Sequence, residues 1–209
     1  MHIEKFTVGP FQQNTYVLWK QEKAILIDPG FHSEFEYSPV KELLSTLGLN
    51  SIYLTHAHID HVLGLQRVLN DFDVPVFLHN KDLFLWQNFG NQSRMYGLSG
   101  VDFGFTPNNI TVDEEIEVEG LHFQALYTPG HSPDHMSFYF KNEGVVVAGD
   151  ALFRESIGRT DLYKGDFDLL SSSIKSKLYS LPESTTVYSG HGIETTIAHE
   201  KKYNPFVRS

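Results

Sequence analysis

Short apolar runs with the period of a β-strand alternate along this chain with stretches whose apolar residues recur every three or four positions, as on one helix face. The first third holds three strand candidates, Ile3 to Val8, Thr15 to Trp19 and Ala24 to Ile27, the last running into the turn Asp28-Pro29-Gly30. Val40, Leu43, Leu44 and Leu47 predict a helix from Pro39 to Leu47 that stops at Gly48. A buried strand is expected at Ser51 to Thr55, a helix from Val62 to Phe72, a strand at Val74 to Leu78 and a helix from Lys81 to Phe89. Residues 90–109, rich in Gly and Asn, show no readable period, and a flap is expected there. Strands return at Ile116 to Val118, Leu121 to Tyr127, Met136 to Lys141, Gly144 to Ala148 and Thr186 to Ser189, with helices at Asp166 to Leu181 and Glu194 to His199. No repeat or linker interrupts this order, so a single domain over residues 1–209 is expected, with sheets packed together under helices.

Chemistry concentrates at one strand-to-helix junction, His56-Ala57-His58-Ile59-Asp60-His61. Side chains two apart in an extended segment point the same way, so His56 and His58 can grip one ion while Asp60 and His61 turn toward a neighbouring position. The plainer alternative is a loop in which Asp60 caps the following helix and the histidines bond locally. Three further candidates each end a strand beside a glycine: Thr128-Pro129-Gly130-His131, Ala148-Gly149-Asp150 and Ser189-Gly190-His191. Each alone is weak, but strand ends place side chains on a shared rim where loops converge.

Composition narrows the chemistry. The net charge of −10 argues against a nucleic-acid partner and against docking on a membrane surface, since both draw on Lys and Arg. Cysteine is absent, which excludes disulfides, thiolate ligands and a cysteine nucleophile, so any metal must be held by the 11 histidines and by carboxylates. No basic and apolar leader is readable at the N-terminus and no apolar run approaches 18 residues, so a soluble cytoplasmic protein is expected.

The ordered set His56-x-His58-x-Asp60-His61, His131, Asp150 and His191 resembles the metallo-β-lactamase superfamily. The resemblance implies an α+β fold, an αβ/βα four-layer sandwich with two sheets facing each other, helices outside and a dinuclear metal site at one edge. It also implies the ligands: His56, His58 and His131 on one ion, Asp60, His61 and His191 on the other, and Asp150 bridging. Gly149-Asp150-Ala151-Leu152-Phe153, the run Ser156 to Leu162, Asn14-Thr15-Tyr16, Asp28-Pro29-Gly30 and Asn204-Pro205-Phe206 are similar to the glyoxalase II group, which hydrolyses thioesters of glutathione such as S-lactoylglutathione. Only 18 residues, 192 to 209, follow His191, so the likeness is to the short single-domain members. Asp134-His135 stands where many members have Gly-Ser, leaving His135 either a polar group near the site or an ordinary strand-start residue.

The donors, neutral imidazoles and carboxylates, suit two divalent ions, zinc first and iron or manganese as alternatives. Two such ions lower the pKa of a shared water from near 16 to about 7 and so supply a nucleophile, which Asp60 can orient. A thiol of pKa about 8.5 leaves without a strong acid, so the site fits a thioester better than a peptide. A small anionic substrate is expected, with Arg159 either holding its carboxylate or pairing with Asp161. The alternatives are a mononuclear-iron persulfide dioxygenase on the same scaffold and a non-catalytic metal-binding module.

Overall fold

A computed structural model describes residues 1–208. They cluster into two compact units, one gathering residues 1–110 with 118–120 and the other 111–117 with the chain from 121 onward. Each is described on its own.

In the first unit six strands, β1 (His2–Val8), β2 (Gln13–Trp19), β3 (Ala24–Ile27), β4 (Leu49–Tyr53), β5 (Val76–Leu78) and β6 (Asn108–Asn109), pair in sequence order. The β1–β2 and β2–β3 pairs are antiparallel; from β3 onward the pairs are parallel. Sequence explains the order. β3 is buried at all four positions, as a central strand covered on both faces must be, whereas β1, at the edge, exposes His2, Glu4 and Thr7.

The helices begin and break where specific side chains dictate. α1 (Glu34–Leu47) starts five residues before the expected Pro39, because Ser33 and Glu36 form a capping box: the Ser33 hydroxyl accepts the Glu36 N–H and the Glu36 carboxylate accepts the Ser33 N–H. Pro39 lies in the second turn, where its missing N–H leaves one helical bond unmade. The helix expected over Val62 to Phe72 is two, α2 (Ile59–Val62) and α3 (Leu65–Asp71). The break has a physical cause at Gly64, whose N–H donates to Pro29 O at 2.8 Å and whose Cβ, if it had one, would stand 2.2 Å from the Phe31 ring. Asp60 therefore sits inside α2, and His58 occupies the position before it with no side-chain cap. The helix expected over Lys81 to Phe89 is also divided, into α4 (Phe84–Gln87) and α5 (Phe89–Met95), so α5 extends into the segment expected to be a flap. Beyond it Phe103 stacks on Trp86 and Phe89 at 4.3 and 4.6 Å.

The second unit carries β7 (Glu115–Val118), β8 (Leu121–Tyr127), β9 (Met136–Phe140), β10 (Val145–Gly149), the hairpin β11 (Leu152–Phe153) and β12 (Ser156–Ile157), then β13 (Thr186–Ser189) and β14 (Thr195–Thr196). Its main sheet runs β14-β13-β10-β9-β8-β7, with β10 parallel to β13. α6 (Phe167–Ser173) begins at Asp166, whose carboxylate accepts the Leu169 N–H, and continues into a wide π turn, Ile174–Leu178. α7 (Ile197–Tyr203) is capped by Thr196, so the helix expected from Glu194 starts three residues later, after a short strand.

Leu170, Ile174 and Leu178 seat this helical run on Val146, Ala148 and Val187 of the sheet. Leu178 is fully buried. Truncating it to alanine should cost about 2–5 kcal/mol through lost burial and a cavity. A thermal melt checks this, with a fall of at least about 4 °C expected.

Candidate metal centre

In the first unit the site is organised by a residue read in the sequence as part of a turn and of the glyoxalase II likeness, with no role in the site. Asp28 follows β3, is 1% exposed and holds φ at 51°. Its Oδ1 accepts the Thr55 N–H at 2.7 Å, and its Oδ2 accepts both the Thr55 hydroxyl at 2.6 Å and His61 Nδ1 at 2.8 Å. A hydroxyl has one proton to give. Since Thr55 donates it to Asp28, its oxygen can only accept from His56 Nδ1, 3.0 Å away. Both His56 and His61 therefore carry their proton on Nδ1 and present a lone pair at Nε2, the tautomer a metal requires. The signal available in the sequence was an acid directly behind a wholly apolar strand, which must be buried and must find donors.

Around this base the imidazoles crowd together. The His56 ring lies 4.8 Å from that of His58, edge-on, and 4.1 Å from that of His61. His61 Nε2 is 3.8 Å from Asp60 Oδ2. The loop is pinned from α5, where the Gln92 amide donates to Ala57 O at 3.2 Å and to Leu85 O at 2.7 Å. The first unit thus brings together all four residues of the His-x-His-x-Asp-His run.

The second unit brings together the other three. His131 follows Gly130, whose φ of +125° and whose approach to Leu170 N, 2.2 Å from an ideal Cβ, admit no other residue. The His131 Nδ1–H donates to Arg159 O at 2.8 Å, leaving Nε2 with its lone pair 3.5 Å from Asp150 Oδ2. His191 Nε2 stands 3.5 Å from that same oxygen. Asp150 and His191 are brought level because the Gly190 N–H donates to Gly149 O at 2.8 Å where β10 and β13 end.

These distances test whether a metal fits. Hydrogen bonds between nitrogen and oxygen centre near 2.9–3.0 Å. Donors arranged tetrahedrally at about 2.1 Å from an ion are about 3.4 Å apart. The two 3.5 Å separations fit the edges of coordination polyhedra, with one carboxylate oxygen common to both. Each of the seven side chains carries a donor of the type that divalent ions take, and the residues fit.

Arg159 reaches its neighbour. Its Nε and Nη2 donate to the two oxygens of Asp161 at 2.7 and 2.8 Å, which holds the Asp161 carboxyl down at about 2. What it gives the site is its carbonyl oxygen, against His131. His135 is completely buried, with Nε2 accepting the Asp150 N–H.

Gly158 closes this half. A Cβ there would stand 1.9 Å from Asp150 O and 3.0 Å from His131 Nδ1, so Gly158→Ala must displace backbone by more than an ångström. We expect kcat/KM to fall about a hundredfold. Steady-state assay beside a thermal melt checks it, and an Ala variant of wild-type activity would show that the contact is relieved elsewhere.

The donor order and the two six-stranded sheets agree with the family comparison: the chain belongs to the metallo-β-lactamase superfamily, whose family model matches residues 8–191. It has the α+β metallo-β-lactamase fold and is an enzyme of a metallo-hydrolase class. Among relatives, it is 38% identical over 213 residues to hydroxyacylglutathione hydrolase GloC of Haemophilus influenzae, covering 100% of this chain and 99% of that one. Among solved structures, the BLEG-1 B3 metallo-β-lactamase superposes with a TM-score of 0.88 at 36% identity, covering 100% of both chains. TTHA1623 in a di-iron-bound form superposes with a TM-score of 0.86 at 38% identity, covering 98% of this chain and 100% of that one. Among the described residues no helix is long and apolar enough to cross a membrane.

Proposed function

We propose that this chain is a dinuclear metal-dependent hydrolase of small thioesters, of which S-lactoylglutathione is the representative. The observation that carries the dinuclear reading is Asp150 Oδ2, 3.5 Å from the Nε2 atoms of both His131 and His191. In this reading His56, His58 and His131 would hold one ion, Asp60, His61 and His191 would hold the second, and Asp150 would be shared by both. The thioester assignment draws support from the full-length similarity to GloC. A di-iron-bound relative leaves iron beside zinc as the metal to test.

A pair of divalent ions held by these residues would supply an activated water at neutral pH and a Lewis acid for the carbonyl oxygen of the substrate. The protein's own residues do the rest. Asp60, partly exposed beside His61, accepts a hydrogen bond from the attacking water and orients it toward the acyl carbon. The Asp28–Thr55 pair keeps the proton of His56 and His61 on Nδ1 throughout. When the C–S bond breaks, the sulfur can leave as a thiolate without being protonated by an acid, which a thiol of pKa about 8.5 permits and an amine would not. On a surface of net charge −10, a metal pair held by these residues would make a local cationic spot that favours a small anionic substrate over nucleic acid or membrane. A cytoplasmic setting, kept reduced by glutathione, fits that substrate.

The test is to measure metal content and turnover on one sample. Two ions per chain with release of glutathione from S-lactoylglutathione is the expected result. One iron per chain with oxygen uptake on glutathione persulfide would replace the reading with a dioxygenase, and β-lactam opening without thioester turnover would replace it with a lactamase.

A further inference from the structure

His135 is a buried, nucleophilic and titratable side chain for which the catalytic reading has no use. It is 0% exposed. Its place becomes intelligible from the backbone around Asp150. Strand β10 loses register at Gly149, which holds φ at +51°, and the chain then turns so that the Ala151 N–H reaches back to Ala148 O at 3.2 Å. Asp150 is thereby a central residue of the turn, and its own N–H points away from the sheet ladder into the interior. A buried N–H left without an acceptor loses its hydrogen bond to water with nothing in exchange, so it must find a partner. The acceptor here is His135 Nε2, at 3.0 Å.

That bond dictates everything behind it. An imidazole nitrogen accepts only through its lone pair, so the ring is neutral with its proton on Nδ1. Nδ1–H donates to Thr128 Oγ1 at 2.9 Å, the Thr128 hydroxyl donates to Ser137 Oγ at 2.8 Å, and Ser137 donates to Ala148 O at 3.3 Å. The chain of donors starts on the N–H of Asp150 and ends on the carbonyl of Ala148. It is a closed belt around the tripeptide that aims the Asp150 carboxylate.

We propose that His135 is a positioning residue for Asp150, fixing through this belt the backbone from which the carboxylate reaches His131 and His191. The inference rests on Asp150 being a metal ligand. It predicts a specific asymmetry between two variants. In His135→Gln the terminal amide oxygen lies as many bonds from Cα as Nε2 does and can accept the Asp150 N–H. In His135→Asn the amide reaches only as far as Nδ1, preserving the contact with Thr128 and losing the one with Asp150.

Titrating the metal-free full chain with Zn²⁺ by calorimetry separates the cases. His135→Asn should bind one of the two ions about 10–100-fold more weakly, and His135→Gln should stay within about threefold of wild type. The two metal-free variants should melt within about 2 °C of each other, since both lose one bond of the same belt. Equal losses in the two variants, or no loss in His135→Asn while Asp150→Asn loses an ion, overturns the role of His135 and leaves Asp150 a ligand. Wild-type affinity for both ions in Asp150→Asn overturns both readings. Should His135→Asn fail to fold, the long-range ¹H–¹⁵N spectrum of the wild-type ring decides: a proton on Nδ1 supports the belt, and a proton on Nε2 overturns it.

Discussion

Asp150→Asn is expected to leave the chain folded, remove one metal ion and lower kcat at least about a thousandfold, about 4 kcal/mol of barrier. Asparagine has the shape of aspartate, so the backbone, the turn at Gly149 and the bond to His135 survive. What changes is one oxygen and one charge. Oδ2 faces two imidazole nitrogens at 3.5 Å each, and an amide oxygen offers an ion there no net charge, while an amide NH₂ turns protons toward it. Metal analysis and kcat on one sample, beside a melting curve, check the prediction. Two retained ions with kcat within about tenfold of wild type would remove Asp150 from the mechanism.

The second large effect is expected at a residue that touches no metal. Asp28→Asn preserves volume but makes one of the two side-chain oxygens a donor. If the NH₂ faces Thr55 N–H, two donors collide in a buried site. If it faces the other way, it donates where it must accept from His61 Nδ1 and Thr55 Oγ1. The Thr55 hydroxyl then turns toward His56 Nδ1, and both histidines are driven to carry their proton on Nε2, where the metal would bind. The same kind of tautomer error costs about 10⁴-fold in a serine protease triad. We expect metal affinity about 10–100-fold weaker and activity reduced in proportion to occupancy, so that added metal restores part of it. A variant with wild-type affinity would show that the Asp28 bonds do not set the tautomers.

The legibility of this site in the sequence followed the range of the contacts involved. Four donors within His56 to His61 lie on one short segment, and local density was enough to mark them. His131, Asp150 and His191 were individually ordinary, and only their order along the chain made them a set. Asp28 was read as a turn because its partners are 27 to 33 residues away, and its place directly behind an apolar strand, though it marks the acid as buried, does not say which donors it meets. The early start of α1 was readable after all, in Ser33-x-x-Glu36, and was obscured by Pro39. The break between α2 and α3 was not, because the apolar spacing continues through it and its cause is contact of Gly64 with Phe31. The β11–β12 hairpin, two residues a side, is too short to leave a period. His135 shows the same limit from the other direction, since a histidine that satisfies one backbone N–H through a four-bond relay has no sequence signature.

Anomalous X-ray data from crystals loaded with Zn²⁺ test the central claim most directly. The account predicts two peaks about 3.5–4 Å apart, one bound by His56, His58 and His131, the other by Asp60, His61 and His191, with Asp150 contacting both. A single peak, or a pair to which Asp150 makes no bond, would contradict it.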